Sequence, residues 1–184
     1  RISHVRQTAI EKAVSSETTR LPNQFFIREL LPMDAGKLSE LYKLVFPSYP
    51  FHIYDPAYIK STMQTHVRYY GVFAGGKLVA ASSAEMDVEN GNAEMTDFAT
   101  HPDYRGSGLA LYLLQIMEAQ MPRFKISTAY TIARALSYGM NITFSRQGYL
   151  FGGTLVNNTQ ISGGLESMNI WYKSLIAQAR NDLY

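Results

Sequence analysis

The sequence predicts an α+β domain in which a mixed, mostly antiparallel sheet of about six to seven strands is flanked by helices. Segments with strand character outnumber segments with helical spacing, which favours a sheet at the centre of the domain. Gly75-Gly76 joins two β-rich segments and indicates a hairpin, whereas helices between other strands indicate crossovers. With 184 residues, 46% of them hydrophobic, the chain is long enough to bury a substantial core.

Local signals along the chain place the individual elements. Asp34 lies near the start of a leucine-periodic segment, and Asp55 followed by Pro56 is typical of a helix N-terminus. Gly148 is placed to end the last helix, and β-branched and aromatic runs indicate the strands. The predicted elements are, in order, a strand at 23–30, helices at 32–46 and 55–63, a hairpin at 67–87, a strand at 92–100, a helix from 109, a strand at 126–134, a helix from 136 to 148 and strands at 149–158 and 165–175.

The N-terminal residues differ in character from the rest of the chain. Residues 1–20 are polar with weak periodicity, which favours either one amphipathic helix or a leader. The chain begins with Arg1 rather than methionine, which indicates a piece of a longer chain. We therefore expect residues 1–22 to be a leader or the remnant of an upstream segment, and residues 23–184 to form the domain.

Composition argues against several classes of function. The 17 basic and 15 acidic residues give a formal charge of +2 with no basic block, so we expect no nucleic-acid partner. The longest apolar stretch, Leu109–Met117, is too short to cross a bilayer, and no signal sequence opens the chain. The chain has no cysteine and its histidines show no metal-ligand spacing, so we expect no metal. Together these features predict a cytoplasmic protein.

The most informative segment is 96–117, where a strand leads through a glycine turn into an apolar helix. Gly106, Ser107 and Gly108 form the turn, Arg105 precedes it, and the helix begins at Leu109. Glycine lets a ligand approach the backbone, and the unpaired N–H groups of a helix N-terminus attract an anion. The pattern is typical of a phosphate-binding turn, although a tight turn without a ligand has the same sequence.

Residues 105–110, RGSGLA, resemble the R/Q-x-x-G-x-G/A signature of the GNAT family of acetyl-coenzyme A N-acetyltransferases, and the preceding FATHPDYRG resembles a strand end of that family. The resemblance extends in element order from Gln24 to Leu175. It narrows to the β-lysine N-acetyltransferases on four runs: EMTDFATHPDYRGSGLA, TAYTIARALSYGMNITFSRQGY, GGTLVNNTQI and ESMNIWYK. Those enzymes act beside a lysine 2,3-aminomutase to make the osmolyte Nε-acetyl-β-lysine. The resemblance implies the GNAT fold, acetyl-coenzyme A as cosubstrate and the ε-amine of β-lysine, a small molecule, as acceptor.

The resemblance also implies which residues hold the cofactor. Backbone groups near Phe98 and Thr100 would pair with the pantetheine arm as though it were an added strand, and the glycine turn would hold the pyrophosphate. The cofactor-binding residues predicted in this way are Phe98, Ala99, Thr100, Arg105, Gly106, Ser107, Gly108, Leu109, Ala110 and Asn141.

Glu94 is the predicted general base. An ε-ammonium with a pKa of about 10.4 must lose a proton before the amine can attack a thioester. Glu94 matches the strand position at which many GNAT enzymes place a catalytic glutamate, and a solvated strand carboxylate is the alternative interpretation. In a regularly alternating strand, Glu94 shares a face with Thr96, Phe98 and Thr100. Asp97 then points to the other face, where it is structural or attracts an ammonium group.

The usual proton donor of the family is missing from its expected place. Many members carry a tyrosine four residues before the glycine that ends the last helix, and here that position is Phe144. Tyr138, which we take as the catalytic candidate, or Tyr130 could protonate the leaving thiolate instead. Water could also serve, because the thiolate of coenzyme A is a tolerable leaving group.

Further predicted site residues concern the acceptor. The planar guanidinium of Arg134 suits a carboxylate, Tyr130 would line the pocket, and Asp97 would attract an ammonium group. Four residues more typical of turns or caps lie near the expected mouth of the site: Asn141, Asn157, Asn158 and Glu166. The alternatives are lysine, a polyamine or another diamine as acceptor, or a non-catalytic coenzyme A-binding domain. The sequence also leaves open whether two copies associate as a homodimer.

Overall fold

The computed structural model describes residues 1–13, 21–161 and 163–176. Within them the chain forms one seven-stranded sheet surrounded by five α-helices. The helices are α1 (Ile2–Ala13), α2 (Ala35–Val45), α3 (Pro56–Met63), α4 (Leu109–Gln120) and α5 (Tyr138–Arg146). The strands are β1 (Phe25–Glu29), β2 (Val67–Ala74), β3 (Lys77–Asp87), β4 (Asn92–Thr100), β5 (Thr128–Arg134), β6 (Leu150–Ile161) and β7 (Gly164–Ser174). Residues 14–20 and 177–184, which the leader and domain predictions include, lie outside the described residues.

The strands lie in the order β1-β2-β3-β4-β5-β7-β6. Every neighbouring pair is antiparallel except β4 and β5, which are parallel and connected through α4. The predicted α+β class, the mixed sheet and the order of elements are therefore confirmed. The last hairpin is longer than predicted, because its ladder continues as far as the pair Ile161 and Gly164.

The local signals act as the sequence indicates. Asp55 is the N-cap of α3 and accepts a hydrogen bond from the backbone N–H of Ala57 at 2.8 Å, with Pro56 as the first helical residue. Gly75-Gly76 form the turn between β2 and β3. Gly148 directly follows the C-cap of α5 and has a positive φ of 83°.

Helices cover the two faces of the sheet and create two hydrophobic clusters. One cluster joins α1, α4 and α5 to the sheet, and we call this side the α4 face. The other joins α2 and α3 to the sheet, and we call that side the α2 face. The α4 helix is anchored by Leu109, Leu113, Leu114 and Met117, none more than 2% exposed. This burial holds the N-terminus of α4 still against β4.

The α1 helix, which lies within the predicted leader or remnant, packs against the cluster of the α4 face and against α5. Val5 and Ala9, one turn apart, are fully buried. Arg146 of α5 donates a hydrogen bond from Nε to the carbonyl of Lys12 at 3.1 Å. The described part of the predicted leader thus covers α5, which in turn borders the site.

A β-bulge in β4 changes which face its side chains occupy. Asp97 and Phe98 together lie opposite the single residue Ser82 of β3. Asp97 has a φ of 54°, a left-handed conformation that aspartate tolerates better than most residues. Upstream of the bulge Glu94 and Thr96 point to the α2 face, whereas Phe98 packs against the cluster of the α4 face.

The predicted alternation along β4 is wrong beyond Thr96. Phe98 and Thr100 do not share a face with Glu94, because the extra residue of the bulge inverts the order of side chains after it. Asp97 accepts a hydrogen bond from Ser83 on the α2 face and so lies on the same side as Glu94. The bulge therefore brings two carboxylates of one strand to one face.

Candidate active site

The parallel strands β4 and β5 separate at a fork and open a cleft. Residues Asn92–Glu94 pair with Thr128–Tyr130, and the described pairing ends there. Past this point residues 96–98 and 131–134 line a cavity of about 210 Å³, which we call the fork cleft. Its other lining residues are Phe46, Tyr49, Ser137, Met140, Phe144, Ile161 and Met168. Two strands that diverge in this way can hold an extended ligand between them.

The predicted anion-binding turn lies at the N-terminus of α4. Gly106 and Gly108 have φ of 82° and 71°, conformations that residues with a Cβ rarely adopt. A Cβ at Gly106 would meet no atom within 4 Å, and one at Gly108 only Tyr112 at 3.9 Å, so the space above the turn is open. No side chain caps α4 at Gly108, so its first amides face that space. Arg105 and Ser107 are exposed beside them.

The other predicted cofactor residues differ in accessibility. Phe98 lines the fork cleft, and its ring meets Phe144 edge-on with centroids 5.6 Å apart. Ala99 packs in the cluster of the α2 face and is 1% exposed, so only its backbone could serve a ligand. Thr100 and Ala110 are half-buried on either side of the turn.

Glu94 lies at the base of the fork. It is opposite Tyr130 on β5 and pairs across the strands with Glu85 on β3. The backbone N–H of Ile132 donates to its carboxylate. Burial raises the pKa of Glu94 to about 7, and the negative charges of Glu85 and Asp97 add to the rise. A carboxylate with such a pKa can take a proton from a reacting group and release it again near neutral pH.

Asp97 is buried between β3 and the segment that joins α2 to α3. The hydroxyls of Tyr49 and Ser83 donate to its carboxylate, that of Ser83 at 2.7 Å. Burial raises the pKa of Asp97, and these two hydrogen bonds oppose the rise. The carboxylate is therefore held in place where it can attract a cation on the face that carries Glu94.

Of the described residues that line the fork cleft, one is a tyrosine, Tyr49. Its ring packs on Phe46 with centroids 4.9 Å apart. Burial and the charge of Asp97 raise the pKa of Tyr49, so its phenol keeps its proton. Sequence reasoning missed Tyr49 because the loop after α2 carries no catalytic motif; the aromatic run FPSYPFHIY was the available signal.

The two tyrosines predicted as proton donors lie outside the lining of the fork cleft. The ring of Tyr138, 42% exposed, meets His4 of α1 edge-on at 6.1 Å. Tyr130 is half-buried and pairs with Tyr172 of β7, and burial together with the charge of Glu94 raises its pKa. The structure thus brings Tyr130 next to Glu94 but brings neither hydroxyl into the cleft lining.

Arg134 lines the fork cleft and is already paired. Its Nε and Nη2 donate to the two carboxylate oxygens of Glu166 at 2.8 and 2.5 Å. This contact raises the pKa of Arg134. A substrate carboxylate at this position would share the guanidinium with Glu166 rather than meet a free cation.

Asn141 has a structural place in the fold. It is fully buried, and its amide nitrogen donates to the carbonyls of Arg134 and Ser137 at 3.0 and 2.7 Å. Its amide oxygen accepts from Asn169 and Trp171 at 2.9 and 2.8 Å. In this structure the polar groups of the side chain tie α5 to β5 and β7, and the contact of Asn141 with the cofactor stays a prediction.

A second cavity, of about 180 Å³, lies on the α2 face beside the fork cleft. Asp97 lines both cavities. We call the second one the acidic pocket, and its lining residues are Phe51, Ile53, Tyr58, Thr62, His66, Val67, Tyr69, Glu85 and Asp97. Sequence reasoning also missed Glu85. The available signal was the position of Glu85 opposite Glu94 when the consecutive strands β3 and β4 pair.

Three further features of the described residues lie outside this site or concern other kinds of function. A larger groove of about 650 Å³ lies between α2 and the β2–β3 hairpin and shares no lining residue with the two cavities. Among the described residues, no helix has the length and apolar character needed to span a bilayer. In the same part of the chain, no group of three or more His, Cys, Asp or Glu side chains could hold a metal ion.

Comparison of the sequence with protein-family profiles identifies the family of this chain. The profile described as the acetyltransferase (GNAT) family matches residues 37–139. The matched region contains most of α2, all of α3, the strands β2 to β5, the glycine turn, α4 and the start of α5. The chain belongs to the GNAT acetyltransferase family.

Three curated proteins are similar to this GNAT domain. The beta-lysine N(6)-acetyltransferase of Methanococcus maripaludis is 52% identical over 155 residues, 84% of the chain. The protein of the same name from Methanosarcina mazei is 40% identical over 86% of the chain, and the N-acetyltransferase YodP of Bacillus subtilis is 41% identical over 94%. The matches cover 57%, 59% and 64% of those proteins, so the chain spans roughly three-fifths of their length. The resemblance to β-lysine N-acetyltransferases is confirmed.

Solved structures agree on the GNAT fold. The ribosomal-protein-S18-alanine N-acetyltransferase of Escherichia coli superposes with a TM-score of 0.71, over 87% of this chain and 99% of that one, at 18% identity. At this low identity the likeness concerns the fold.

Proposed function

We propose that this GNAT domain transfers the acetyl group of acetyl-coenzyme A to the ε-amine of β-lysine. The family and the names of two curated relatives support this proposal. The observation that carries it is the path of β4, which runs from Glu94 at the base of the fork, along the fork cleft, to the open glycine turn. The product would be the osmolyte Nε-acetyl-β-lysine, and a cytoplasmic location belongs to the same proposal.

Acetyl-coenzyme A fits the residues that are present. The open amides at the start of α4, the two glycines and Arg105 suit the pyrophosphate. The backbone from Phe98 to Thr100 leads from the turn to the fork and suits the pantetheine arm. When bound, the cofactor supplies an activated acetyl thioester. Phe98, Met140 and Phe144 form an apolar wall that keeps water from this part of the cleft.

Glu94 acts as the general base in this proposal. Its carboxylate, with a pKa of about 7, is largely ionised just above neutral pH and can take a proton from the ε-ammonium. The Ile132 N–H orients the carboxylate at the fork. The amine nitrogen then forms a bond to the acetyl carbon while the carbon–sulfur bond breaks. A positioned base of this kind accelerates a reaction by roughly 10²- to 10⁴-fold.

Tyr49 is the proton source that the geometry favours. It lines the cleft, whereas Tyr138 and Tyr130 do not. Its raised pKa keeps the phenol protonated. The departing sulfur would take the proton that Tyr49 donates to Asp97 in the structure, and the phenolate would then regain a proton from solvent. The carboxylate of Asp97, which accepts the hydrogen bond of Tyr49, fixes the position of the ring.

Arg134 is proposed to recognise the carboxylate of the acceptor. Two of its guanidinium nitrogens hold Glu166, which leaves Nη1 for a substrate carboxylate at the edge of the cleft. The contact is therefore shared, and we expect it to orient the acceptor more than to supply affinity.

An acceptor panel tests the proposed function. Purified protein and acetyl-coenzyme A are incubated with β-lysine, lysine or spermidine, and we follow thiol release and the mass of the product. We expect thiol release to depend on the amine, to be fastest with β-lysine, and to yield one acetyl group on the ε-nitrogen. Faster acetylation of lysine or spermidine would replace the acceptor. No release with any amine, together with tight coenzyme A binding, would favour a non-catalytic cofactor-binding domain.

A further inference from the structure

The acidic pocket is a cavity that the proposed reaction does not yet use. It continues from the fork cleft past Asp97, which lines both cavities. Its volume of about 180 Å³ is large enough for a small polar group and unsuited to a coenzyme. The pocket lies between β2, β3 and the segment around α3, on the face to which Glu94 points. An acceptor whose amine reaches Glu94 would therefore have its other end close to this pocket.

Negative charge is concentrated at the pocket. Glu85 and Asp97 line it, and Glu94 is the cross-strand neighbour of Glu85. Within the described residues, none of the three carboxylates forms an ion pair with lysine or arginine. His66 lies near enough to lower the pKa of Glu85, while burial and Asp97 raise it. One buried and two half-buried carboxylates that have no lysine or arginine partner among the described residues favour a cationic ligand.

A buried hydroxyl supports the same interpretation. Tyr42 is fully buried, and among the described residues its hydroxyl has no hydrogen-bond partner. Burial raises the pKa of Tyr42, and the charges of Asp97 and Glu85, both of which line the pocket, add to the rise. An unpaired buried polar group is costly and is commonly completed by a ligand or water.

The walls of the pocket suit an ammonium group in particular. Phe51, Tyr58 and Tyr69 are aromatic, and the faces of such rings attract cations. The hydroxyl of Tyr69 is held by Thr62 at 2.9 Å. A metal ion is a poor fit, because no three acidic or imidazole side chains of the described residues come together as ligands.

We propose that the acidic pocket binds the second, non-reacting ammonium group of a diamine acceptor, with Glu85 as its principal counter-ion. This inference rests on the proposed function and specifies how the acceptor is chosen. In β-lysine the two nitrogens are separated by four carbon atoms, about 6 Å in an extended chain. Glu85 and Glu94 are directly opposed on neighbouring strands, with Cβ atoms roughly 5 Å apart. One ammonium can thus reach Glu94 while the other reaches Glu85.

A pair of acceptors isolates the second ammonium. β-Lysine is 3,6-diaminohexanoate, and 6-aminohexanoate has the same chain, carboxylate and reacting amine but lacks the 3-amino group. We measure kcat/KM for both acceptors with the wild-type protein and with Glu85→Gln, an isosteric change. The ratio of the two values cancels any effect of Glu85 on Glu94. We expect wild type to prefer β-lysine and Glu85→Gln to lower the ratio by roughly 10- to 100-fold.

Controls separate the pocket from the proposed function. Glu89→Gln removes an equal charge from an exposed turn and should leave the ratio unchanged. Coenzyme A affinity reports whether each variant remains folded. An unchanged ratio in Glu85→Gln, with both acceptors still acetylated, overturns the pocket while the acetyltransferase stands. If neither acceptor is acetylated, calorimetry with coenzyme A present decides: selective loss of β-lysine binding in Glu85→Gln supports the pocket, and equal binding of both acceptors overturns it.

Discussion

The pKa values of the acidic residues at this site depend on the neighbouring carboxylates and hydrogen-bond donors. Glu94, Glu85 and Asp97 lie on one face of two neighbouring strands. The charges of Glu85 and Asp97 raise the pKa of Glu94, and the charge of Asp97 raises the pKa of Glu85. Asp97 is stabilised by two hydroxyl donors, whereas Glu94 receives one backbone N–H. The same cluster can therefore attract an ammonium group and accept its proton.

The pH dependence of catalysis tests the role of Glu94. Its pKa is raised to about 7, so the carboxylate is protonated and inactive as a base below that pH and ionised above it. We expect kcat/KM of the wild type to rise as the pH increases through about 7. Glu94→Gln should lower the rate by roughly 10²- to 10⁴-fold at neutral pH. The deficit should shrink at higher pH, because the free amine becomes abundant near its own pKa of about 10.4.

The exposed Glu89 provides the matched control for that experiment. Glu89→Gln should keep the wild-type pH profile, because this side chain lies in the β3–β4 turn away from the fork. A Glu94→Gln deficit of the same size from pH 6 to pH 10 would show that the residue contributes structure rather than base catalysis.

At the scale of secondary-structure elements, the site forms where the otherwise regular sheet is interrupted. The bulge of β4 moves Asp97 to the α2 face, and the fork between β4 and β5 opens the cleft. The glycine turn then converts the end of β4 into the N-terminus of α4, whose burial keeps the amides fixed. Positioning of the cofactor depends on this strand–turn–helix unit.

The glycine turn can be tested by one substitution. Gly108→Asp places a Cβ and a negative charge beside the proposed pyrophosphate and strains a residue with a φ of 71°. We expect coenzyme A affinity, measured by calorimetry, to fall by about 100-fold or more, the equivalent of roughly 3 kcal/mol.

Gly76 offers a control of similar backbone conformation. It lies in the β2–β3 turn with a φ of 81°, and a Cβ added there would meet no atom within 4 Å. Gly76→Asp should therefore impose similar strain and leave coenzyme A affinity near that of the wild type. Equal affinity losses in the two variants would attribute the effect to strain, and no loss in Gly108→Asp would place the cofactor elsewhere.

At the scale of the whole molecule, local signals predicted the elements and long-range contacts decided the details of the site. The caps at Asp55 and Gly148 and the turn at 105–108 depend on a few neighbouring residues, so their sequence signals were sufficient. The face of Asp97 depends on how β3 and β4 pair, which no single strand encodes. The side chain of Asn141 is buried and accepts a hydrogen bond from Trp171, a residue 30 positions away in the sequence.

The loop between α2 and α3 is a second example of contacts that local sequence signals do not predict. Tyr49 reaches the fork cleft because Asp97, 48 positions along the chain, accepts its hydrogen bond. The packing of α1 on α5 is likewise a contact between distant parts of the described chain. Periodicity identifies such segments as elements but does not say what they cover.

The most direct measurement is a crystal structure with coenzyme A and β-lysine bound. We predict pyrophosphate oxygens within hydrogen-bond distance of the amides at the start of α4, the pantetheine arm in the fork beside β4, and the ε-nitrogen within about 3 Å of the Glu94 carboxylate or of a water that links them. Coenzyme A bound in the groove between α2 and the β2–β3 hairpin, with the glycine turn vacant, would contradict the account.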